Sequence, residues 1–514
     1  MQQIQACLDQ WKSALPPGRL LPESEIPRYE NNCLGVARRI IAVIQPECEE
    51  EIVTVIKTAH HYKLPLYTIS TGHNWGYGSS LPVVNDCAIL DLSRMNRILA
   101  FDDELGLITL EPGVTQQQLA DYLAKYNLNF YVPTTGAGPS TSIIGNALEH
   151  GFGMTPIEDH FQAITSIRAV LADGSIYQSA LTEMGAPQAG VWKWGVGPYL
   201  DGLFAQGNMG IVTTAQIALA PRPEHTEVFV LTIKRDNDLK PLLQACQSLL
   251  THMNGIVGGL KLLNQAQLRA TVAGEKLGMA LPEEFSWLCI GVFRCERSLT
   301  WPVRMAIRSH LKRICSKLIF INDTRVRFMT TMFDAIPGNV GRKLRAQLQR
   351  AQHLMDIVNG VPRGLELRLV YHYVTMSDHL PTDPVRDGVG IVWYAPIIPL
   401  KIDTQLKMIA MISNVLRKYG FPETLSLTTV NDRCAIGVIP IIYKKPDGMQ
   451  QAHQCFLELW KQGNALGCPP YRLNVEAMQK LTEGEAKQYW EQVAKIKTAL
   501  DPNHILSPGR YART

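Results

Sequence analysis

Three glycine-rich stretches constrain this chain more than any other feature. The first, Ser70-Thr71-Gly72-His73-Asn74-Trp75-Gly76-Tyr77-Gly78-Ser-Ser, directly follows the β-rich run Leu66–Ser70. The second runs from Val132-Pro133-Thr134-Thr135-Gly136 through Gly145-Asn146-Ala147-Leu-Glu-His-Gly151-Phe-Gly153 to Pro156. The third is Gly207-Asn208-Met209-Gly210-Ile211-Val212-Thr213. Glycine lets backbone N–H groups approach an anion closely, and consecutive N–H groups in a turn form a nest for phosphate oxygens. Any one stretch reads equally well as a surface loop. Three of them, each beside β-structure, point to one extended cofactor clasped by backbone groups. The first lacks the G-x-G-x-x-G spacing and no clear helix follows it, which disfavours a Rossmann site.

The rest of the pattern is that of an α+β protein. Ile52, Val55, Ile56 and Ala59 recur at helical spacing before the breaker Lys63-Leu64-Pro65. A strand at Leu107–Leu110 leads to a helix with Thr115 as N-cap and Leu119, Tyr122 and Leu123 on its apolar face. Ile164–Leu171, then Ala172-Asp-Gly174, then Ser175–Gln178 predicts a hairpin with an Asp-Gly turn. Prolines at Ala220-Pro-Arg-Pro223 mark a boundary, after which helices alternate with β-rich runs such as Trp287–Phe293 and Ile391–Ile398. A helix near Val303–Leu318 carries Arg304, Arg308, Lys312 and Arg313, read as a solvated face with a phosphate patch as the alternative.

Composition excludes several classes. Over 514 residues, 46% hydrophobic and 19% charged content rules out extended disorder. A net charge of +4 is too weak to argue for nucleic acid or a membrane surface. No apolar run approaches the ~18 residues of a membrane-spanning helix. The start, Met1 to Gln10, has neither the basic nor the apolar region of a secretory signal. Eleven scattered cysteines without a C-x-x-C pair predict reduced thiols in a cytoplasmic compartment. No histidine pair with ligand spacing is joined by a suitable carboxylate, so no metal site is expected.

The three loops, with Gly197-Pro-Tyr-Leu-Asp-Gly-Leu-Phe204 and Asp501-Pro-Asn-His-Ile-Leu-Ser-Pro-Gly509-Arg510, resemble the vanillyl-alcohol oxidase and p-cresol methylhydroxylase family of flavoproteins. The resemblance runs from about residue 30 onward and is densest at 66–92, 132–161, 197–213 and 470–510. It implies FAD as cofactor and a two-domain architecture. Residues 1–222 and 466–514 would form the FAD-binding domain around a ferredoxin-like-type α/β cap at 223–465. By the same resemblance the cofactor would be bound by Ser70, Thr71, Gly72, His73, Asn74, Trp75, Gly76, Gly78, Pro133, Thr134, Gly145, Asn146, Gly151, Gly153, Gly210, Ile211, Val212 and Arg510. A homodimer is also implied.

The family's 4-phenol oxidisers hold a phenolate with two tyrosines and an arginine, and the matching residues are Tyr77, Tyr471 and Arg472. Two phenol donors and a guanidinium favour a deprotonated phenol, whose electron push weakens a para-benzylic C–H toward hydride transfer. The bland alternative makes Tyr77 a packing residue and Arg472 a structural ion pair. Several family features have no match. The late strand reads Asn431-Asp-Arg-Cys434-Ala-Ile-Gly437 without the histidine that carries covalent FAD in one branch. Pro381-Thr-Asp383-Pro384 lacks the tyrosine of the other branch, and Thr134-Thr135 replaces an aspartate near the flavin. Ser70-Thr-Gly-His73 is similar to the Ser-Gly-Gly-His motif of berberine-bridge-type enzymes, so His73 is a second route to covalent attachment. His372 and Asp432 are further candidates to face substrate.

The expected activity is hydride removal from a phenolic or related aromatic small molecule, with electrons passing to oxygen or a protein acceptor. Two alternatives stay open. One is a berberine-bridge-like oxidase of an alcohol, amine or natural-product intermediate; the other is a degenerate flavin-binding structural subunit.

Overall fold

The computed structural model describes residues 2–273, 285–312, 314, 317–334, 336–377, 379, 381–484 and 486–513. Its strands fall into three sheets that succeed one another along the chain. β1 (Ile40–Ile44), β2 (Leu66–Ile69) and β3 (Cys87–Asp91) pair in parallel in the order β1-β3-β2. β4 (Ile98–Asp102), β5 (Leu107–Leu110), β6 (Ile164–Val170), β7 (Ile176–Gln178) and β8 (Ile211–Ala218) form an antiparallel sheet in the order β4-β5-β8-β6-β7.

The third sheet holds eight strands. They are β9 (His225–Ile233), β10 (Val257–Asn264), β11 (Trp287–Cys295), β12 (Lys317–Ile321), β13 (Gly390–Tyr394), β14 (Ile397–Pro399), β15 (Ser426–Thr429) and β16 (Cys434–Tyr443). Their order is β12-β9-β11-β10-β15-β16-β13, with β14 also on β16. Helices and sheets are thus mixed within one α+β fold.

Local chemistry explains the elements that position the loops. Helix Glu49–Tyr62 begins with three glutamates and ends with His60 and His61, the charge order that complements its dipole, and Lys63 in the left-handed region closes it. Ile52, Val55, Ile56 and Ala59 are fully buried against β1, β2 and β3. Helix Gln116–Lys125 opens on a capping box in which Thr115 and Gln118 satisfy each other's backbone N–H groups. β6 and β7 form the hairpin around Asp173-Gly174, where the Asp173 carboxylate accepts from Ser175 N at 2.8 Å.

Two expectations in the region after Pro223 need correction. Ile391–Ile398 is not one strand: Ala395-Pro396 interrupts it, and β13 and β14 pair with different stretches of β16. The helix expected over Val303–Leu318 ends at Leu311, because Leu318–Ile321 is recruited into β12 against β9. Arg304 on that helix is neither solvated nor poised for phosphate. It makes a two-pronged pair with the fully buried Glu227, both contacts at 2.7 Å. Arg313 lies outside the described residues.

Segment 466–513 returns to the first sheet. Leu66 N donates to Ile505 O and Ser507 N to Leu66 O, each at 2.7 Å, extending the edge of β2. A buried lysine locks this return. Lys497 Nζ reaches Asn208 O at 2.6 Å, the Asp501 carboxylate at 2.6 Å and Leu506 O at 2.9 Å. The same carboxylate accepts from Ile505 N and Leu506 N, and Asn208 Nδ2 donates to Ser507 O. The third glycine stretch and the Asp501–Arg510 motif are therefore fastened together by one ion pair and its hydrogen bonds.

Candidate functional site

The three glycine stretches line one cavity of about 720 Å³ that continues onto the face of the third sheet. Ser70 to Trp75 and Tyr77 come from the first stretch, Thr134 to Ala137, Thr141, Ser142, Gly145, Asn146, Leu148, Glu149 and Gly151 to Met154 from the second, and Gly207, Asn208 and Gly210 to Val212 from the third. The stretches are pinned to one another as well as to the cavity. Thr71 Oγ1 accepts from Ser142 N at 3.2 Å, and Ser142 Oγ caps the short helix Ile143–Leu148 by accepting from Gly145 N at 2.8 Å. A Cβ on Gly145 would collide with the Ser70 hydroxyl, so glycine is what lets the first two stretches touch.

At one end of the cavity Tyr77, Tyr471 and Arg472 come together. The Arg472 guanidinium carbon stands 4.4 Å over the centre of the Tyr77 ring, a cation–π contact. Burial pushes the Tyr77 phenol well above its usual pKa, the neighbouring Tyr471 adds to this, and Arg472 opposes it. Tyr77 is therefore a neutral O–H donor. Tyr471 is braced by Phe152, whose ring stands edge-on at 5.7 Å, and by its backbone N–H on Ala395 O at 3.0 Å.

Arg472 has two further neighbours. Its Nη2 donates to Asn74 Oδ1 at 2.5 Å, and its Nε lies 3.1 Å from Glu149 Oε2. That second N–H is not aimed along the contact, so it is an ion pair without a hydrogen bond. Glu149 also pairs with Arg510, whose other nitrogen donates to the Tyr67 hydroxyl at 3.0 Å. Among the described residues, two guanidinium charges against one carboxylate leave this end of the cavity with one uncompensated positive charge.

His73 lies in the wall with its ring stacked on Trp75, centroids 4.8 Å apart, and Nδ1 3.3 Å from Ser140 Oγ. Burial lowers its pKa, which keeps the ring neutral. In the second stretch His160 Nδ1 meets Asn146 Oδ1 at 2.6 Å, and burial takes His160 down to about 4. Nearby Glu158 accepts from Gly259 N, and burial raises it to about 7. Among the described residues no group of His, Cys, Asp or Glu is arranged to hold a metal ion.

Residues 40–179 match the FAD binding domain family. The chain is 31% identical over 510 residues to 1'-carboxy-chondrochloren decarboxylase of Chondromyces crocatus, covering 95% of this chain and 93% of that one. It is 29% identical to the 4-cresol dehydrogenase [hydroxylating] flavoprotein subunit of Pseudomonas putida, covering 99% and 94%. The chain belongs to the vanillyl-alcohol oxidase / p-cresol methylhydroxylase family. In fold it is similar to p-cresol methylhydroxylase with substrate bound, at a TM-score of 0.84 and 24% identity over 99% of this chain and 97% of that one. It is likewise similar to a 4-ethylphenol oxidase from Gulosibacter chungangensis, at 0.85 and 21% over 99% and 97%. Family membership makes it an FAD-dependent oxidase or dehydrogenase.

The cavity suits the cofactor of this family. It is long and walled by the backbone of three loops, and a buried hydroxyl on its wall, Thr141 Oγ1, has no protein partner. Three residues expected to bind the cofactor do not line it. A Cβ on Gly76 would strike the Trp393 indole, and one on Gly78 would reach Val475 at 2.6 Å. These glycines let the first loop pack under β13 and under segment 466–513. Pro133 lies behind Thr134 and likewise has no surface on the cavity. His372 is exposed and Asp432 pairs with Arg433 at 2.8 Å, both away from the cavity lining. The residues that sequence reasoning missed are Glu149, Asn74 as a partner of Arg472, and Lys261. Glu149 sits four residues after Gly145 in a stretch already singled out, and only its two distant arginines give it meaning.

Proposed function

We propose that this chain oxidises a phenolic small molecule, held as the phenolate between Tyr77, Tyr471 and Arg472. The single uncompensated positive charge where Arg472 and Arg510 share Glu149 carries the reading. A bound phenolate supplies the missing negative charge, and Tyr77, kept protonated, donates a hydrogen bond to it. Arg472 favours the ionised form of the phenol, while Asn74 and Glu149 hold the guanidinium in place. FAD, when bound, would supply the two-electron acceptor for a hydride leaving the benzylic carbon attached para to that oxygen. Backbone N–H groups of the three loops, with Ser70, Thr71, Gly72, His73 and Arg510, would hold it. The cap, 223–465, would close the substrate side, and residues 1–222 with 466–514 would form the cofactor-binding unit. Oxygen or a protein acceptor would then take the electrons.

Mixing FAD-loaded protein anaerobically with 4-alkylphenols, benzylic alcohols and amines tests this. Rapid bleaching of the flavin by the phenols alone is expected. Bleaching only by alcohols or amines would replace the phenolate reading with a berberine-bridge-like one. A second reading within the family is oxidation of a substrate that carries a carboxyl group, favoured by the full-length similarity to a carboxy-chondrochloren decarboxylase. Carbon dioxide release during the same anaerobic reduction separates it.

A further inference from the structure

The cavity has a second polar end, on the face of the third sheet. There Val230, Ile290, Leu288, Leu263 and Val438 make an apolar floor. One charge interrupts it. Lys261 on β10 stands between Ile290 of β11 and Thr428 of β15, its register partners. Two residues along, on the same face, Leu263 stands between Leu288 and Ser426. Lys261, Thr428 and Ser426 are thus cross-strand or diagonal neighbours, and all three line the cavity.

Among the described residues, two polar atoms here lack a hydrogen-bond partner. Ser426 is 1% exposed and its hydroxyl has no hydrogen bond; Gln267, 3% exposed on the neighbouring helix, has an unpaired Oε1, and both face the cavity. Lys261 is enclosed by protein yet keeps accessible surface, which is the signature of a side chain facing an internal cavity. Burial depresses its pKa, and Glu366 opposes that shift without forming an ion pair with it. A lysine in an apolar floor with two hydroxyls beside it is costly to maintain unless something pairs with it.

We propose that Lys261, Ser426, Thr428 and Gln267 form a second substrate subsite that binds a carboxylate carried on the side chain of the aromatic substrate. This rests on the phenolate reading above, which supplies the anchor for the other end of the same molecule. One ammonium and two hydroxyls match the single charge and two oxygens of a carboxylate. The substrate class is therefore a 4-hydroxyphenyl alkanoate rather than an uncharged alkylphenol. Lys261 here is a specificity-determining residue that orients the side chain, and it takes no part in the electron transfer.

Calorimetric titration of the FAD-loaded protein with 3-(4-hydroxyphenyl)propanoate and with 4-ethylphenol tests the subsite. The carboxylate ligand is expected to bind more tightly. Lys261→Met should weaken it by about 10- to 100-fold, the range for a lost charge-assisted hydrogen bond, and should shrink its advantage over 4-ethylphenol by the same factor. Lys261→Arg should restore part of that advantage. Titration with 3-phenylpropanoate, which has no phenol oxygen, separates this proposal from its foundation. If it binds in a Lys261-dependent way while phenols do not bleach the flavin, the subsite stands and the phenolate reading falls. If Lys261→Met leaves the affinity of both carboxylates unchanged, or weakens 4-ethylphenol equally, the subsite is refuted.

Discussion

Arg472 pairs with Glu149, and the proposed function asks it to stabilise a substrate anion as well. Its replacement by alanine should slow anaerobic flavin reduction by a phenolic substrate by about 30- to 1,000-fold, the ~2–4 kcal/mol typical of a buried, charge-stabilising donor. Arg472→Lys should also be impaired, since an ammonium cannot contact Asn74, Glu149 and a phenolate with one planar fork. Equal slowing of phenolic and non-phenolic substrates in a stopped-flow comparison would sink the phenolate role. His73 carries a separate expectation. Its neutral, half-buried ring on the cavity wall is expected to be bonded to FAD, so acid-denatured protein should show the flavin mass by intact mass spectrometry, and His73→Ala should not. A wild-type mass without flavin would make His73 a packing partner of Trp75 and Ser140.

Elements were easier to read than the contacts between them. The helix after Thr115 and the hairpin at Asp173-Gly174 were legible because capping and turn chemistry act within a few residues. The break between β13 and β14 was written in Ala395-Pro396 but masked by the hydrophobic run on either side. Gly76 and Gly78 looked like cofactor glycines because a sequence shows that a Cβ is missing, not what it would have hit. Lys261 looked like an ordinary alternating position in a strand. Its facing depends on the register shift between Gly258 and Lys261 in β10, which no local pattern announces.

The loop that meets that irregularity holds two opposed titrations. Glu158 is raised from 4.5 to about 7 and His160 lowered from 6.5 to about 4. The first contributes stability that is present below about 4.5 and lost as pH rises to about 7. The second contributes stability that is present above about 6.5 and lost as pH falls to about 4. Each shift corresponds to about 3 kcal/mol, so in the intact protein they largely cancel. Glu158→Gln should therefore expose a steep loss of stability on acidification, and His160→Gln a loss on going from acid to neutral pH. Denaturant midpoints measured from pH 4 to 8 check both; flat profiles in both variants would show that the groups titrate normally.

At the scale of the molecule, the site depends on residues 466–513 being held against the first sheet. Lys497→Met leaves the Asp501 carboxylate buried without its cation, which should cost about 3–5 kcal/mol. Because Asp501 also fixes Leu506 and Asn208 fixes Ser507 on the approach to Arg510, the same variant should expose its flavin to solvent at lower denaturant than it unfolds. Chemical denaturation followed by both flavin and tryptophan fluorescence reads the two events. An unchanged midpoint would mean that the backbone pairing of Leu66 with Ile505 and Ser507 holds the segment alone.

That return has a consequence in time. Arg510 and Tyr67, which share a hydrogen bond across one end of the cavity, are 443 positions apart in the chain. At the ~5–20 residues per second of protein synthesis, the first loop waits on the order of 20–90 s for the residues that complete its wall. A nascent chain stalled before Tyr471 displays glycine loops with neither Tyr471 nor the arginines that pair with Glu149. The cofactor therefore meets a finished pocket only once residue 510 has been made and has folded back onto the first loop.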